Sequence, residues 1–171
     1  MSNMPGGNPL KYALIERERK FLLYPLEEET RKLPWRIIAD RYIMGTNLRL
    51  RKIEAGDNIV YKLTKKTRLS AGNEAITTIY LSLNEHELLC KMPSVAVSKT
   101  RYISSYGDLN IAIDVYASKE DKLWIAEVEF DSEEDMNNFV MPLPYETEVT
   151  GNDEFTGFAL ANRFGFENRS V

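Results

Sequence analysis

The segment Glu16-Arg17-Glu18-Arg19-Lys20-Phe21-Leu22 alternates charged side chains and then ends in apolar residues. In a β-strand, side chains two positions apart share a face, so Glu16, Glu18 and Lys20 point in the same direction. Two glutamates on one face repel each other unless a cation lies between them. The segment therefore predicts a strand, within the candidate span 12–23, whose charged face needs a counter-charge.

Charged residues at alternate positions recur later in the chain: Arg49 and Arg51, Lys99 and Arg101, Asp114 between Ile113 and Val115, and Glu127 and Glu129. The simplest interpretation is that these are the solvated faces of half-buried strands. However, the two signs occur in separate tight sets, and arginine suits bidentate contacts with phosphate. If the strands close into a barrel, the apolar faces pack outward against helices and the charged faces line a wet lumen.

Short runs rich in β-branched and aromatic residues, bounded by turn residues, predict eight strands: 12–23, 41–53, 58–65, 75–83, 95–104, 110–116, 123–130 and 147–150. A helix running to about Lys91 is predicted after an Asn84 cap, with Glu87 as the capping-box partner, and a second helix from Glu133 to Val140 after a Ser132 cap. Weaker helical patterns lie at 27–33 and 35–39. The expected fold class is α+β, mainly β, with flanking helices. Residues 1–9 are expected to be a disordered lead-in and residues 10–171 a single tunnel domain.

The composition of the chain argues against several classes of function and of metal site. The net charge of −4 argues against a protein that binds duplex nucleic acid, whose phosphates demand a basic surface. With one histidine and one cysteine, any metal must be held by oxygen ligands, as Mg²⁺ or Mn²⁺ prefers. Neither a secretion signal nor an apolar stretch long enough to span a bilayer is found, so a cytoplasmic protein without a membrane partner is expected.

Seven segments resemble, in order, the strand motifs of the CYTH superfamily of triphosphate tunnel metalloenzymes. They are the E-x-E-x-K of Glu16–Lys20, the R-x-R of Arg49–Arg51, Leu63-Thr64-Lys65 for T-x-K, the K-x-R-Y of Lys99–Tyr102, the D-V-Y of Asp114–Tyr116, the E-V-E of Glu127–Glu129 and the E-V-T of Glu148–Thr150. The first motif alone is a weak signal, whereas the ordered set covers nearly the whole chain.

The resemblance implies an antiparallel tunnel with a short plugging helix, expected at 133–140. It implies that Mg²⁺ or Mn²⁺ is held by Glu16, Glu18, Glu127 and Glu129, with Asp114 in or beside the shell. It also implies that the triphosphate is held by Lys20, Arg49, Arg51, Lys65, Lys99 and Arg101. Glu16, Glu18 and Lys20 are the expected catalytic residues.

Two departures from the family pattern affect the expected site. Many members have several glutamates on the strand after T-x-K, whereas here the expected lumen positions are Ile76, Thr78 and Tyr80. The family also often places a basic residue after E-V-T, where this chain has Asp153 and Glu154. One wall is therefore expected to be less acidic, and a basic phosphate contact to be missing unless Arg163 replaces it.

The leading hypothesis is hydrolysis of inorganic tripolyphosphate or a related small triphosphate compound. The nearest alternative is a class IV adenylate cyclase that uses the same tunnel with a ribose hydroxyl as nucleophile. A non-catalytic binder of polyphosphate or nucleotide is the third hypothesis. The oligomeric state stays open, with a homodimer as one option.

Overall fold

The computed structural model describes residues 7–168, and side chains as far as residue 166. Residues 1–6 of the expected lead-in lie outside the described residues. The strands are β1 (Leu14–Leu23), β2 (Trp35–Ile43), β3 (Leu48–Ala55), β4 (Asn58–Ser70), β5 (Asn73–Leu81), β6 (Ser94–Tyr106), β7 (Leu109–Ala117), β8 (Lys122–Phe130), β9 (Tyr145–Glu148) and β10 (Phe166–Asn168). The helices are α1 (Glu27–Thr30), α2 (Leu83–Leu89), α3 (Glu133–Asn138) and α4 (Gly157–Phe164).

Strands β1 to β8 form a closed antiparallel barrel in the order β6-β2-β3-β4-β5-β1-β8-β7, which the β6–β7 pairing completes. Strand β9 adds to β1, and β10 adds to β6. Closure pairs the backbone groups that an open sheet would leave at its edges. The predicted mainly-β barrel with flanking helices is confirmed.

The predicted orientation of the strands is also confirmed, with apolar residues outside and charge inside. A cluster of buried side chains, including Ile113, Val128 and Phe130, covers the outer face of β1, β7 and β8. It packs beneath Met136 of α3 and Phe139 just after it. Charged residues of the same strands, such as Glu127, line the interior cavity.

Two predictions about the region before β3 are wrong. The single strand expected at 41–53 is two strands, because the chain turns at Gly45, whose φ of +73° suits a residue without a side chain. The weak helix expected at 35–39 is the first half of β2. Pairing with both β3 and β6 buries Ile38 there, and this packing outweighs any helical pattern.

The plugging helix is α4, and the prediction of a plug at 133–140 is wrong. Helix α3 begins at its predicted Ser132 cap but lies on the outer apolar layer. In contrast, Leu160 and Ala161 of α4 pack on Val95 and Val97, which share the inward face of β6 with Lys99. Gly165 ends α4 where an added β-carbon would lie 2.0 Å from the Ala96 carbonyl oxygen, so only glycine permits this approach.

In the described part of the chain, no helix is both long and apolar enough to cross a membrane. Helix α2 begins two residues earlier than predicted, because Ser82 and Glu85 form the capping box in place of Asn84 and Glu87.

Candidate functional site

The barrel contains a cavity of about 600 Å³, and twelve of the residues that line it are charged. Seven are basic: Lys20, Arg49, Arg51, Lys66, Arg68, Lys99 and Arg101. Five are acidic: Glu16, Glu18, Glu74, Glu127 and Glu129. Nine of the eleven residues expected to form the site line this cavity, whereas Asp114 and Lys65 do not.

Asp114 lies beneath the cavity lining, where it is fully buried and contacts two of the basic residues. The Arg101 guanidinium donates two hydrogen bonds to its carboxylate, Nε to Oδ1 at 2.6 Å and Nη2 to Oδ2 at 2.6 Å. The Lys99 ammonium pairs with the same carboxylate, and Arg101 also reaches Glu127. We refer to Lys99, Arg101 and Asp114 as the Asp114 cluster. Its position makes Asp114 a support for the two cations.

A second buried carboxylate, Asp40 of β2, holds Arg51 in the same way. The Arg51 guanidinium donates from Nε to Oδ1 at 2.6 Å and from Nη2 to Oδ2 at 2.7 Å. Burial would raise the pKa of Asp40, but Arg51 outweighs it and lowers this pKa to about 2. Sequence reasoning missed Asp40, because its segment was not recognised as a lumen-facing strand.

Arg49 differs from Arg51 in that its guanidinium Nε makes no hydrogen bond to a described residue. This Nε is 4.0 Å from Asp40 Oδ1, and the atom is buried. A buried guanidinium donor without an acceptor is costly and uncommon. Arg49 is therefore the cavity arginine whose geometry most directly calls for an added anion.

Four glutamates on β1 and β8 form what we call the carboxylate wall: Glu16, Glu18, Glu127 and Glu129. The antiparallel register places Glu18 directly opposite Glu129, and Lys20 opposite Glu127. The Lys20 ammonium bridges the wall, with Nζ 3.1 Å from Glu18 Oε1 and 3.2 Å from Glu127 Oε1. Glutamates paired across strands repel, so this wall is only partly neutralised by the protein itself.

The pKa values within the wall diverge accordingly. Burial and the nearby Glu127 charge raise the pKa of Glu18, despite the contact with Lys20. Burial and the Glu16 charge likewise raise the pKa of Glu129. Burial opposes ionisation of Glu127 too, but Lys99, Lys20 and Arg101 together lower its pKa well below the ordinary value.

Lys66, and not the predicted Lys65, faces the lumen from β4. Lys65 is exposed outside the cavity, opposite Leu48 and Thr77 on the neighbouring strands. The Lys66 ammonium lies between two carboxylates, Glu16 and Glu74, with Nζ 2.8 Å from Glu74 Oε2. Alternation along β4 explains the correction, because adjacent residues of a strand face opposite sides.

Glu74 also corrects the expectation that the β5 wall carries no carboxylate. The predicted strand began at residue 75, whereas β5 begins at Asn73 and so includes Glu74. Glu74 lies directly opposite Glu16 of β1 and lines the cavity. Extending the same alternation two residues back from Ile76 would have found it. Ile76, Thr78 and Tyr80, the expected lumen positions, are not among the residues that line the cavity, and the Thr78 hydroxyl instead hydrogen-bonds that of Thr64 at 2.9 Å.

Arg163 does not supply the missing basic contact. Its guanidinium pairs with the Asp121 carboxylate, Nη2 to Oδ2 at 2.5 Å, away from the cavity lining. The aromatic part of the lining comes from Tyr42, Tyr116, Phe155 and Phe158. Gly157 packs so closely on Tyr42 that an added β-carbon would lie 1.8 Å from the phenol oxygen.

The carboxylate wall suits a divalent cation in its donor chemistry, since Mg²⁺ and Mn²⁺ prefer oxygen ligands. Within the described residues, no three histidine, cysteine, aspartate or glutamate side chains are already grouped as a metal site. The like charges of Glu16 and Glu127, which raise the pKa values of both Glu18 and Glu129, are nevertheless what a bound cation would offset. The roles of the wall and of the basic residues stay predictions.

Comparisons with known proteins agree with this geometry. The crystal structure of the inorganic triphosphatase NE1496 matches with a TM-score of 0.54 and 26% identity over 85% of this chain and 93% of that one. The chain has the triphosphate tunnel fold. A second crystal structure, of the hypothetical protein NE1496, matches with a TM-score of 0.55 and 27% identity over 85% of this chain and 97% of that one.

More distant structures share the tunnel fold only. A proposed adenylate cyclase, bh2851 from Bacillus halodurans, matches with a TM-score of 0.56 and 19% identity over 74% of this chain and 86% of that one. PH1819 from Pyrococcus horikoshii matches with a TM-score of 0.53 and 19% identity, covering 71% and 82% of the two chains. No protein-family model and no curated protein sequence matches the chain. The predicted resemblance to the tunnel superfamily is confirmed by structure.

Proposed function

We propose that the protein is a metal-dependent hydrolase of inorganic tripolyphosphate or a closely related small triphosphate compound. The observation that carries the proposal is the barrel cavity of about 600 Å³, which is lined by seven basic and five acidic side chains. The basic residues suit a polyanion, and the acidic residues suit the divalent ion that accompanies phosphoryl transfer. The similarity to an inorganic triphosphatase over most of both chains supports the same substrate class.

Substrate binding falls first to the basic residues. Arg49 offers a buried Nε without a hydrogen-bond acceptor in the described chain. Arg51 and Arg101 are held in place by Asp40 and Asp114, so a phosphate would meet guanidinium groups whose orientation is already fixed. Preorganised charge of this kind stabilises developing negative charge without reorganisation during the reaction.

Lys20 is best placed as a permanent positive charge. Burial opposes its protonation, but Glu18 and Glu127 outweigh burial and raise the pKa of Lys20 above its ordinary value. A lysine that keeps its proton cannot act as a general base. We propose that Lys20 orients the carboxylates and neutralises phosphate charge.

Glu18, Glu127 and Glu129 are the residues that would hold Mg²⁺ or Mn²⁺, with Glu16 beside them. A divalent ion there would neutralise charge on the phosphates and act as a Lewis acid. Asp114 contributes through Lys99 and Arg101, because its carboxylate is fully buried and contacts both. A cytoplasmic location, a small triphosphate substrate as partner and a possible homodimer stay predictions.

The test is an assay with Mg²⁺ or Mn²⁺ and either tripolyphosphate or ATP, in which phosphate, pyrophosphate and cyclic AMP are measured. We expect phosphate release from tripolyphosphate. Cyclic AMP from ATP would instead identify a cyclase, and tight binding without turnover would identify a non-catalytic binder.

Adjacent lysines provide a matched control. Lys66→Ala should lower kcat/KM for tripolyphosphate by at least about ten-fold, since it removes a charge inside the cavity worth roughly 1.5–3 kcal/mol. Lys65→Ala removes the same charge from the exposed outer face and should leave kcat/KM within about two-fold. Equal losses in the two variants would contradict the assignment of the lumen as the substrate site.

A further inference from the structure

The connection between β9 and α4, residues 149–156, runs along the rim of the cavity. Val149, Gly151 and Phe155 line the cavity from this segment. At one end the segment packs on the β4–β5 turn so closely that a β-carbon on Gly151 would lie 2.8 Å from the Ala71 β-carbon. At the other end, Gly157 contacts Tyr42 inside the barrel. We call residues 149–156 the rim segment.

Between these two contacts the rim segment places a carboxylate on a cavity cation. The Arg68 guanidinium lines the cavity, and its Nη1 donates to Asp153 Oδ1 at 2.5 Å. The side chain of Asp153 is 85% exposed and that of Arg68 is 41% exposed. Arg68 is therefore a cavity cation whose partner comes from the rim and stands mostly in solvent.

This pairing differs from those deeper in the barrel. The carboxylates that hold Arg51 and Arg101 are buried and cannot leave without exposing an uncompensated charge. Asp153 can leave Arg68 at little cost, because an exposed ion pair contributes little to stability. It also occupies the stretch after Val149 and Thr150 where the family resemblance leads one to expect a basic residue.

We propose that Asp153 competes with a substrate phosphate for Arg68, and so lowers the affinity of the tunnel for polyphosphate anions. The inference rests on the proposed function and assigns one further specificity-determining residue to the same site. When a polyphosphate enters, a phosphate oxygen replaces the Asp153 carboxylate as the acceptor for the Arg68 guanidinium. When a less highly charged product is left, the carboxylate returns and favours its release.

The test is calorimetric titration of the metal-free protein with tripolyphosphate, which measures affinity without turnover. Asp153→Asn should tighten the dissociation constant by about three- to five-fold, the range that a surface ion pair can account for. Glu154→Gln is the matched control. It removes the same charge from the neighbouring residue, and the Glu154 side chain makes no ion pair with any described residue. It should change the constant by less than about 1.5-fold.

A double-variant cycle isolates the contact. In an Arg68→Gln background, Asp153→Asn should no longer tighten binding, because the guanidinium for which Asp153 and the phosphate compete is absent. Equal effects of Asp153→Asn and Glu154→Gln, or the same gain with and without Arg68, would overturn the inference while leaving the proposed function intact. A parent protein that binds no tripolyphosphate without metal would overturn the inference alone, and one that also fails to hydrolyse it with Mg²⁺ or Mn²⁺ would overturn the proposed function as well.

Discussion

The Asp114 cluster and the carboxylate wall lie in the same barrel but are neutralised to different degrees. In the Asp114 cluster, one fully buried carboxylate contacts two cations that approach from the neighbouring strand. In the wall, Glu18 and Glu129 lie directly opposite each other and both have raised pKa values. One region carries its own counter-charge, and the other lacks part of it.

The contrast is sharpest within β8, where Glu127 and Glu129 are two residues apart on one face. The pKa of Glu127 is well below its ordinary value and that of Glu129 is above it, because the lysines and Arg101 surround the former. Identical residues in one motif thus have different electrostatic roles. We infer that Glu127 would share a divalent ion with the cations that already surround it, whereas Glu129 would contribute a charge that the protein does not compensate.

The largest effect is expected from Asp114→Asn. The substitution keeps the shape of the side chain but leaves Lys99 and Arg101 buried beside a neutral amide, at a cost of about 3–5 kcal/mol. Urea unfolding of the metal-free protein measures it. Glu129→Gln is the matched change in the wall and should cost nothing. A loss below about 1 kcal/mol for Asp114→Asn would show that the cluster does not support the barrel.

An intermediate effect is expected at the two β3 arginines. Arg49→Ala and Arg51→Ala should each weaken tripolyphosphate binding by about 1.5–3 kcal/mol, the range for charge-assisted hydrogen bonds. Only Arg51→Ala should also lower the melting temperature, because it leaves Asp40 buried without its bidentate partner. Calorimetry measures the loss of binding and thermal melts measure the loss of stability. Equal melting temperatures for the two variants would contradict the assignment of Arg51, and not Arg49, as the partner of Asp40.

The smallest effect is expected at Glu129. A carboxyl whose pKa is raised by folding stabilises the protein below its ordinary pKa and loses that contribution as pH rises through the folded value. In metal-free protein at pH 7, Glu129→Gln should therefore raise stability slightly, by up to about 0.5 kcal/mol. The gain should vanish near pH 4 and reverse with saturating Mn²⁺. Melts across that pH range would contradict the assignment if the variant were less stable at pH 7 without metal.

Strand alternation made most of the site predictable. Charges at alternate positions indicated which face of each strand meets the lumen, since Val128 is buried between Glu127 and Glu129 and Ile113 is buried beside Asp114. The error at Lys65 came from applying a T-x-K pattern to Leu63–Lys65, although Thr64-Lys65-Lys66 has the required spacing. With that register, Thr64 and Lys66 both face inward, as the structure shows.

Other features depend on contacts that no local pattern contains. Asp40 was missed because its role is to pair with Arg51 on the neighbouring strand, a contact that the local sequence does not show. In addition, the residues just before Asp40 have a helical pattern. The plug α4 was missed because it is a short helix whose Leu160 and Ala161 match the barrel interior only after closure. Its ends could have been found, since Thr156 caps it and Gly165 follows it.

Gly165 has a consequence for how this protein would tolerate mutation. A β-carbon there would meet two carbonyl oxygens of the backbone, that of Ala96 at 2.0 Å and that of Ala161 at 2.4 Å, and neither can swing aside as a side chain could. In a library of variants selected for activity, glycine should persist at this position as strictly as the residues that touch substrate. Invariance would then mark a residue with no reactive atom, whose contribution is to let α4 seat against β6.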